Sequence, residues 1–167
     1  MADVRAERAD DRAGIRSVHL AAFPTPAEAD LVEQLRRDGD AVISLVAVEA
    51  DRIVGHVLFS RMRVDADARQ LSALALAPVA VIPGRQGCGI GSALVEAGIV
   101  EAGSKEFDMI FVLGEPGYYG RFGFDAEAAA PFASPYAGPY LQARAMNAFS
   151  APRSGRAEHS AAFEGLE

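Results

Sequence analysis

Residues 79–98 read VAVIPGRQGCGIGSALVEAG, Val79 to Gly98: an apolar run stops at a proline, breaks into four glycines within eight residues, and becomes amphipathic again. That order predicts a strand turning through a glycine loop into a helix. Such a turn presents backbone N–H groups beside the positive end of the helix dipole, which makes an anion site. Two common phosphate motifs fail by spacing. A P-loop needs Lys and then Ser or Thr after its last glycine, whereas Gly89 is followed by Ile90 and Gly91. A dinucleotide fingerprint begun at Gly87 or Gly89 needs its third glycine or alanine at Ser92 or Leu94.

Upstream, the run LSALALAPVAVIP contains Pro78, which removes a ladder donor and predicts a distorted strand just before the loop. A polar interval, Asp65 to Gln70, separates it from VISLVAVEADRIVGHVLFSRMRV, two β-branched runs around a polar turn at Ala50 to Arg52 that read as an antiparallel hairpin. Before these, TPAEADLVEQLRRDGD carries Thr25 as N-cap, Pro26 at the first helical position, Glu28 completing a capping box and Gly39 as the stop. Ile15, Val18 and Ala22 recur at helical spacing until Pro24, and VRAERADD supplies a short edge strand.

Downstream, Ile90, Leu94 and Gly98 form a row beside Gly91, Val95 and Ile99, the apolar stripe of a helix ending near Gly103. FDMIFVLG follows as a buried strand, so the unit reads as a right-handed parallel crossover. PGYYGRFGFDA predicts a short helix or turn, and YLQARAMNAF one or two further strands. The expected division is one domain over 1–150 and a frayed, flexible tail over 151–167, which is rich in Ser, Ala, Gly, Arg and Glu.

Composition sets outer limits. A chain of 167 residues, 50% hydrophobic and 23% charged, suits one globular domain. Its formal charge of −7 argues against nucleic acid as a partner and suits an amine ligand better. The single cysteine, Cys88, excludes an intrachain disulfide and a multi-cysteine metal site, so no metal is expected. The N-terminal MADVRAERADDR lacks a signal-peptide apolar region, and no run is long and apolar enough to span a bilayer; a cytoplasmic protein without membrane attachment is expected.

Gln86, Gly87, Cys88, Gly89, Ile90 and Gly91 satisfy the pattern Q/R-x-x-G-x-G/A, and with YYGRFGF at Tyr118 to Phe124 the chain resembles the GNAT N-acetyltransferase superfamily. The segment LGEPGYYGRFGF is most similar to the branch of bacterial YhbS-like predicted acetyltransferases. The resemblance runs from about Val4 to Phe149 in the order of elements. It implies an α/β (α+β) GNAT fold: a central mixed, mostly antiparallel sheet of six to seven strands, a parallel splayed pair around the cofactor site, and flanking helices. It also implies an acetyl-CoA-dependent transfer to a primary amine, small-molecule or peptide, by direct attack in a ternary complex. A homodimer stays open.

On that resemblance, the amides of Gln86, Gly87, Cys88, Gly89, Ile90, Gly91 and Ser92 bind the pyrophosphate of acetyl-CoA, while Val79, Ala80 and Val81 pair with the pantetheine arm. The plain alternative is a structural turn that uses glycine only for its backbone freedom. Acetyl transfer from a thioester needs a neutral amine, a stabilised oxyanion and a proton for the thiolate. The resemblance assigns the last to Tyr119, with Tyr118 a packed neighbour; a main-chain N–H of Val79 or Val81 is the expected oxyanion donor. The strand before the loop has no acid, so a water relay or an amine that enters neutral takes the place of a direct carboxylate. His56 and Glu115 are candidates for base or amine recognition, each with a structural role as the plainer reading. Cys88 lacks an activating neighbour in sequence and is not expected to be a nucleophile. Two other readings stay open: a catalytically degenerate acyl-CoA-binding sensor or interaction module, and a phosphate-binding module unrelated to CoA.

Overall fold

Side chains alternate from face to face along the long strands, so a central sheet acquires one apolar layer on each side. The computed structural model describes residues 2–146 and 152–166. In chain order these hold β1 (Asp3–Ala6), α1 (Arg12–Ala22), α2 (Ala27–Arg37), β2 (Ala41–Glu49), β3 (Arg52–Ala66) and β4 (Arg69–Val81). There follow α3 (Ile90–Ser104), β5 (Met109–Leu113), α4 (Pro116–Tyr119), α5 (Ala126–Ala129), β6 (Phe132–Ala133), β7 (Leu141–Ala145) and β8 (Gly155–Glu158). The 8-stranded sheet runs β1-β2-β3-β4-β5-β7, with β8 paired to β3 and β6. Only β4–β5 and β6–β8 are parallel among these pairs.

Both early hairpins close tightly. Ala50 and Asp51 take φ of 50° and 62°, and Asp67 and Ala68 take 47° and 67°, the doubly left-handed geometry that suits two-residue hairpin turns. The polar interval expected at 65–70 is therefore mostly strand, with only Asp67 and Ala68 in the turn. Helix α2 begins at Ala27, one residue later than expected, with Pro26 at the cap position. Thr25 Oγ1 accepts from Ala27 N at 3.3 Å, and Glu28 makes no capping box.

Leu58, Met62, Leu71, Ala73, Met109 and Phe111 face one apolar layer with Ile15 of α1 and Leu31, Val32 and Leu35 of α2. Val57, Phe59, Leu74, Leu76, Ile110 and Val112 face the other, with Leu94, Val95 and Ile99 of α3. Gly98 lets α3 approach the sheet, since a β-carbon there would overlap the Phe59 ring.

The parallel pair is short. Register runs from Ala73↔Met109 to Ala75↔Phe111, after which β4 continues to Val81 paired with β3, and β5 continues to Leu113 paired with β7. The Ala77–Pro78 peptide is cis, and the β3–β4 register shifts between Val57 and Phe59. The distortion expected at Pro78 thus lies where the two strands part.

The tail departs from expectation. Residues 155–158 form β8, in register from Arg63↔Glu158 to Ala66↔Gly155, and Phe163 is 5% exposed in the α2-side layer. Ala157 and Phe163 are buried, but they sit among polar residues without a period, so composition alone hid them. The eighth strand comes from this segment. Of the expected strand YLQARAMNAF, Leu141–Ala145 is β7, and residues 147–151 lie outside the described residues.

Candidate active site

Gly87 and Gly89 have φ of +76° and +84°, so both take the left-handed backbone that a side chain disfavours. The first bond of α3 runs from Ala93 N to Gly89 O at 3.0 Å, leaving the N–H groups of Ile90, Gly91 and Ser92 without intrahelical partners. A hollow of about 340 Å³ covers this helix end; its lining includes Gln86, Gly87, Gly89, Ile90, Gly91 and Ser92. Arg85, Tyr118, Arg121 and Val81 complete it. Arg121 stacks on Tyr118, 4.6 Å from the ring centre, and Nη2 donates to Ser92 Oγ at 3.3 Å. Tyr118 OH lies 3.4 Å from the same oxygen. Open amides, the dipole and the Arg121 guanidinium favour a polyanion, while Arg85 is paired with Glu49 Oε2 at 2.6 Å.

Neither Arg85 nor Arg121 is marked by sequence pattern alone, although Arg121 is the Arg of YYGRFGF. Cys88, by contrast, is exposed and absent from the lining; its thiol turns to Gln86 O at 3.7 Å.

Ile82 N donates to Val54 O at 3.0 Å, and the register pairs Gly55↔Val81, His56↔Ala80 and Val57↔Val79. By antiparallel alternation, the main-chain groups of Ala80 point to β3, while those of Val79 and Val81 point into the gap beside β5. Ala80 therefore does not offer its backbone to a ligand, which corrects the expected three-residue rail. Gln86 Nε2 already donates to Val81 O at 3.0 Å.

Tyr119 packs at the far side of the gap. It covers Gly114, the residue after β5, so closely that a β-carbon there would strike its ring. Burial, reinforced by Tyr118, pushes its phenol up to about 12, and its hydroxyl has no hydrogen bond among the described residues. It is a neutral donor across the physiological range.

His56 is fully buried and belongs to a different structure. Ser44 Oγ donates to Glu7 Oε1 at 2.6 Å, so it accepts from His56 Nε2 at 2.8 Å. His56 Nδ1 must then accept from His19 Nε2, also at 2.8 Å. Arg36 Nη2 closes the chain on Glu7 Oε1 at 2.5 Å. Both ring nitrogens of His56 are spent, and burial holds its pKa well below the usual histidine value. This geometry leaves it no lone pair for an incoming amine. Glu115 is exposed and lines neither the hollow nor the cavity described next; its carbonyl accepts from Tyr118 N and Tyr119 N.

A second cavity, about 320 Å³, opens where β4 and β5 diverge, between Leu76 and Ala77 on one side and Val112 and Leu113 on the other. Glu28 of α2 and His159 of the C-terminal segment supply polar atoms to its wall. By sequence alone Glu28 falls at a capping-box position and His159 in the polar tail. Among the described residues no cluster of three His, Cys, Asp or Glu is placed to hold a metal, and no helix is long and apolar enough to cross a membrane.

Residues 3–126 match the family model described as Acetyltransferase (GNAT) domain. The uncharacterized N-acetyltransferase YjhQ of Escherichia coli is 39% identical over 69% of the chain, and the match spans 65% of that relative, a little under two thirds of its length. The crystal structure of the Escherichia coli GNAT family N-acetyltransferase YhbS in complex with CoA superposes with TM-score 0.87 at 30% identity, covering 98% of this chain and 92% of that one. A GNAT family acetyltransferase from Brucella melitensis in complex with acetyl-CoA gives TM-score 0.80 at 32% identity, covering 98% of both.

Proposed function

The chain belongs to the GNAT family of acetyltransferases, and on that premise we propose that it moves the acetyl group of acetyl-CoA to a primary amine by direct attack in a ternary complex. The observation that carries this reading is the placement of the helix-end hollow beside the β4–β5 gap, with Val81 belonging to both. The open amides of residues 90–92, with Arg121, hold the pyrophosphate. From Val81 to Ala77 the strand covers roughly 13 Å, at about 3.3 Å per residue. An extended pantetheine arm follows that path, bonding to the gap-facing groups of Val79 and Val81.

The amine lone pair forms the C–N bond and the C–S bond breaks. Nitrogen sheds one proton as sulfur gains one, so a neutral amine and a thioester give an amide and a thiol. The N–H of Val79, nearer the point of divergence, steadies the oxyanion, and Tyr119 donates to the departing sulfur. With its phenol held up near 12, Tyr119 acts by hydrogen bonding to developing charge rather than by ionising beforehand. The test is calorimetry with acetyl-CoA, followed by thiol release with an amine panel. Binding and turnover support the reading. Failure of acetyl-CoA to bind or to raise the melting temperature ends it, and binding without any turnover leaves a sensor.

A further inference from the structure

Glu28 Oε1 and His159 Nδ1 are buried polar atoms without a hydrogen-bond partner, and both residues line the 320 Å³ cavity at the strand divergence. The rest of the wall is almost wholly apolar, with Leu76, Phe111, Tyr136 and Phe163 prominent. His159 is held edge-on between Tyr136 and Phe163, at ring distances of 5.0 and 5.1 Å. Burial lowers its pKa to about 4, so it is neutral at physiological pH. Among the described residues no cation pairs with Glu28. A buried carboxylate oxygen without a partner is costly, and an ammonium group supplies both the charge and the hydrogen bond that it lacks.

We propose that this cavity seats the acceptor, a primary amine carried on a compact apolar or aromatic body, with Glu28 binding the ammonium and accepting its proton. This deepens the acetyltransferase reading and rests on it for the donor. The cofactor strand has no acid, and α2 supplies one from the other side of the gap. The ammonium loses one proton to Glu28, which passes it to solvent, and the freed lone pair attacks the thioester carbon. Size and lining set the class. At 320 Å³ the cavity lies at the small end of ligand sites. A single carboxylate on an apolar wall disfavours polyamines, whose further charges would be buried unpaired.

The probes are 2-phenylethylamine, a tripeptide with N-terminal phenylalanine, and spermidine, each titrated by calorimetry into the full chain with and without CoA. One of the two phenyl probes should bind at least tenfold more tightly than spermidine, and the better of the two identifies a free amine or a peptide N-terminus as the source. Glu28→Gln should weaken that binding at least fivefold and leave the acetyl-CoA Kd unchanged. Spermidine binding as tightly as both phenyl probes, which the unaltered protein alone can reveal, overturns the proposal. So does a loss below fivefold in a folded Glu28→Gln variant. If acetyl-CoA does not bind at all, the acetyltransferase reading fails, while the amine titrations still decide what the cavity takes.

Discussion

Two of the sets of polar atoms buried in this molecule differ in whether they are finished. The chain His19, His56, Ser44, Glu7 and Arg36 joins α1, α2, β2 and β3 by hydrogen bonds of 2.5 to 2.8 Å, donated from His19 through His56 and Ser44 on one side and from Arg36 on the other, that converge on the Glu7 carboxylate. Its one loose end is His19 Nδ1. Because His19 donates through Nε2, that end is a lone pair rather than a buried N–H, which is the cheaper atom to leave bare. At the divergence of β4 and β5, by contrast, Glu28 and His159 each present an unpartnered atom to a cavity. A closed chain fixes the structure, whereas open polar atoms beside a cavity invite a ligand. Titratable chemistry in the sequence does not separate these cases; the bonding pattern does.

The sharpest way to break this comparison is Glu7→Ala. It strands the Arg36 guanidinium and the Ser44 hydroxyl, and removing one partner of a buried pair costs about 3 kcal/mol or more. The melting temperature should drop by roughly 6–12 °C at about 2–4 °C per kcal/mol, while acetyl-CoA affinity measured well below it is retained. An unchanged melting curve would show that the chain holds nothing. Tyr119→Phe should do the reverse, lowering kcat about a hundredfold, the scale of one proton-transferring group, with melting almost unaltered; a loss under fivefold would remove Tyr119 from the chemistry.

Arg121→Ala should weaken CoA binding by about tenfold through the lost charge-assisted contact and its stacking on Tyr118. Dephospho-CoA and CoA should lose similar affinity if the guanidinium addresses the pyrophosphate; a loss confined to CoA would move the contact to the 3′-phosphate. Acidification tests the buried histidines together. Burial depresses His19 and His159 from 6.5 to about 4, and His56 in the same direction. Their contribution is therefore complete above about 6.5 and is lost as pH falls toward 4, because the unfolded chain takes up protons first. The melting temperature should be level from pH 8 to 7 and decline below 6.5. Asp11, lowered from 3.8 to about 2 mainly by the Arg5 hydrogen bond, adds its loss only below that window. A flat profile down to pH 4.5 would contradict the assigned burial. The smallest effect is Cys88→Ser, whose kcat/KM should stay within twofold; a tenfold loss would restore the thiol to the site.

The glycine turn and helix end of the cradle were legible because they lie within a few residues, whereas Tyr118 and Arg121 reach it from beyond β5. Gly87, Gly89 and Gly91 stand at the turn, and Ile90, Leu94, Val95 and Ile99 mark the helix face directly after it. Tyr119 was reached through a resemblance carried by seven consecutive residues. The same local reading went astray where one residue type serves two purposes. Glu28 fits a capping box by spacing, yet its side chain turns to the cavity. Ala80 sits between two gap-facing neighbours, and only the pairing phase with β3 turns its backbone away.

By itself, then, the sequence determined the strand, glycine turn and helix, the open amides at α3, and the tyrosine segment beyond, because backbone freedom, capping and periodicity are set by near neighbours. Tertiary structure decided the rest. His19 and His56 are 37 positions apart, and the bond between them turns a plausible base into a structural link. Glu28 and His159 come from opposite ends of the chain to one cavity, and β8 is a strand because β3 offers it an edge. Those outcomes depend on which surfaces meet when the sheet and its two apolar layers close, and no local pattern encodes a partner more than a hundred residues away.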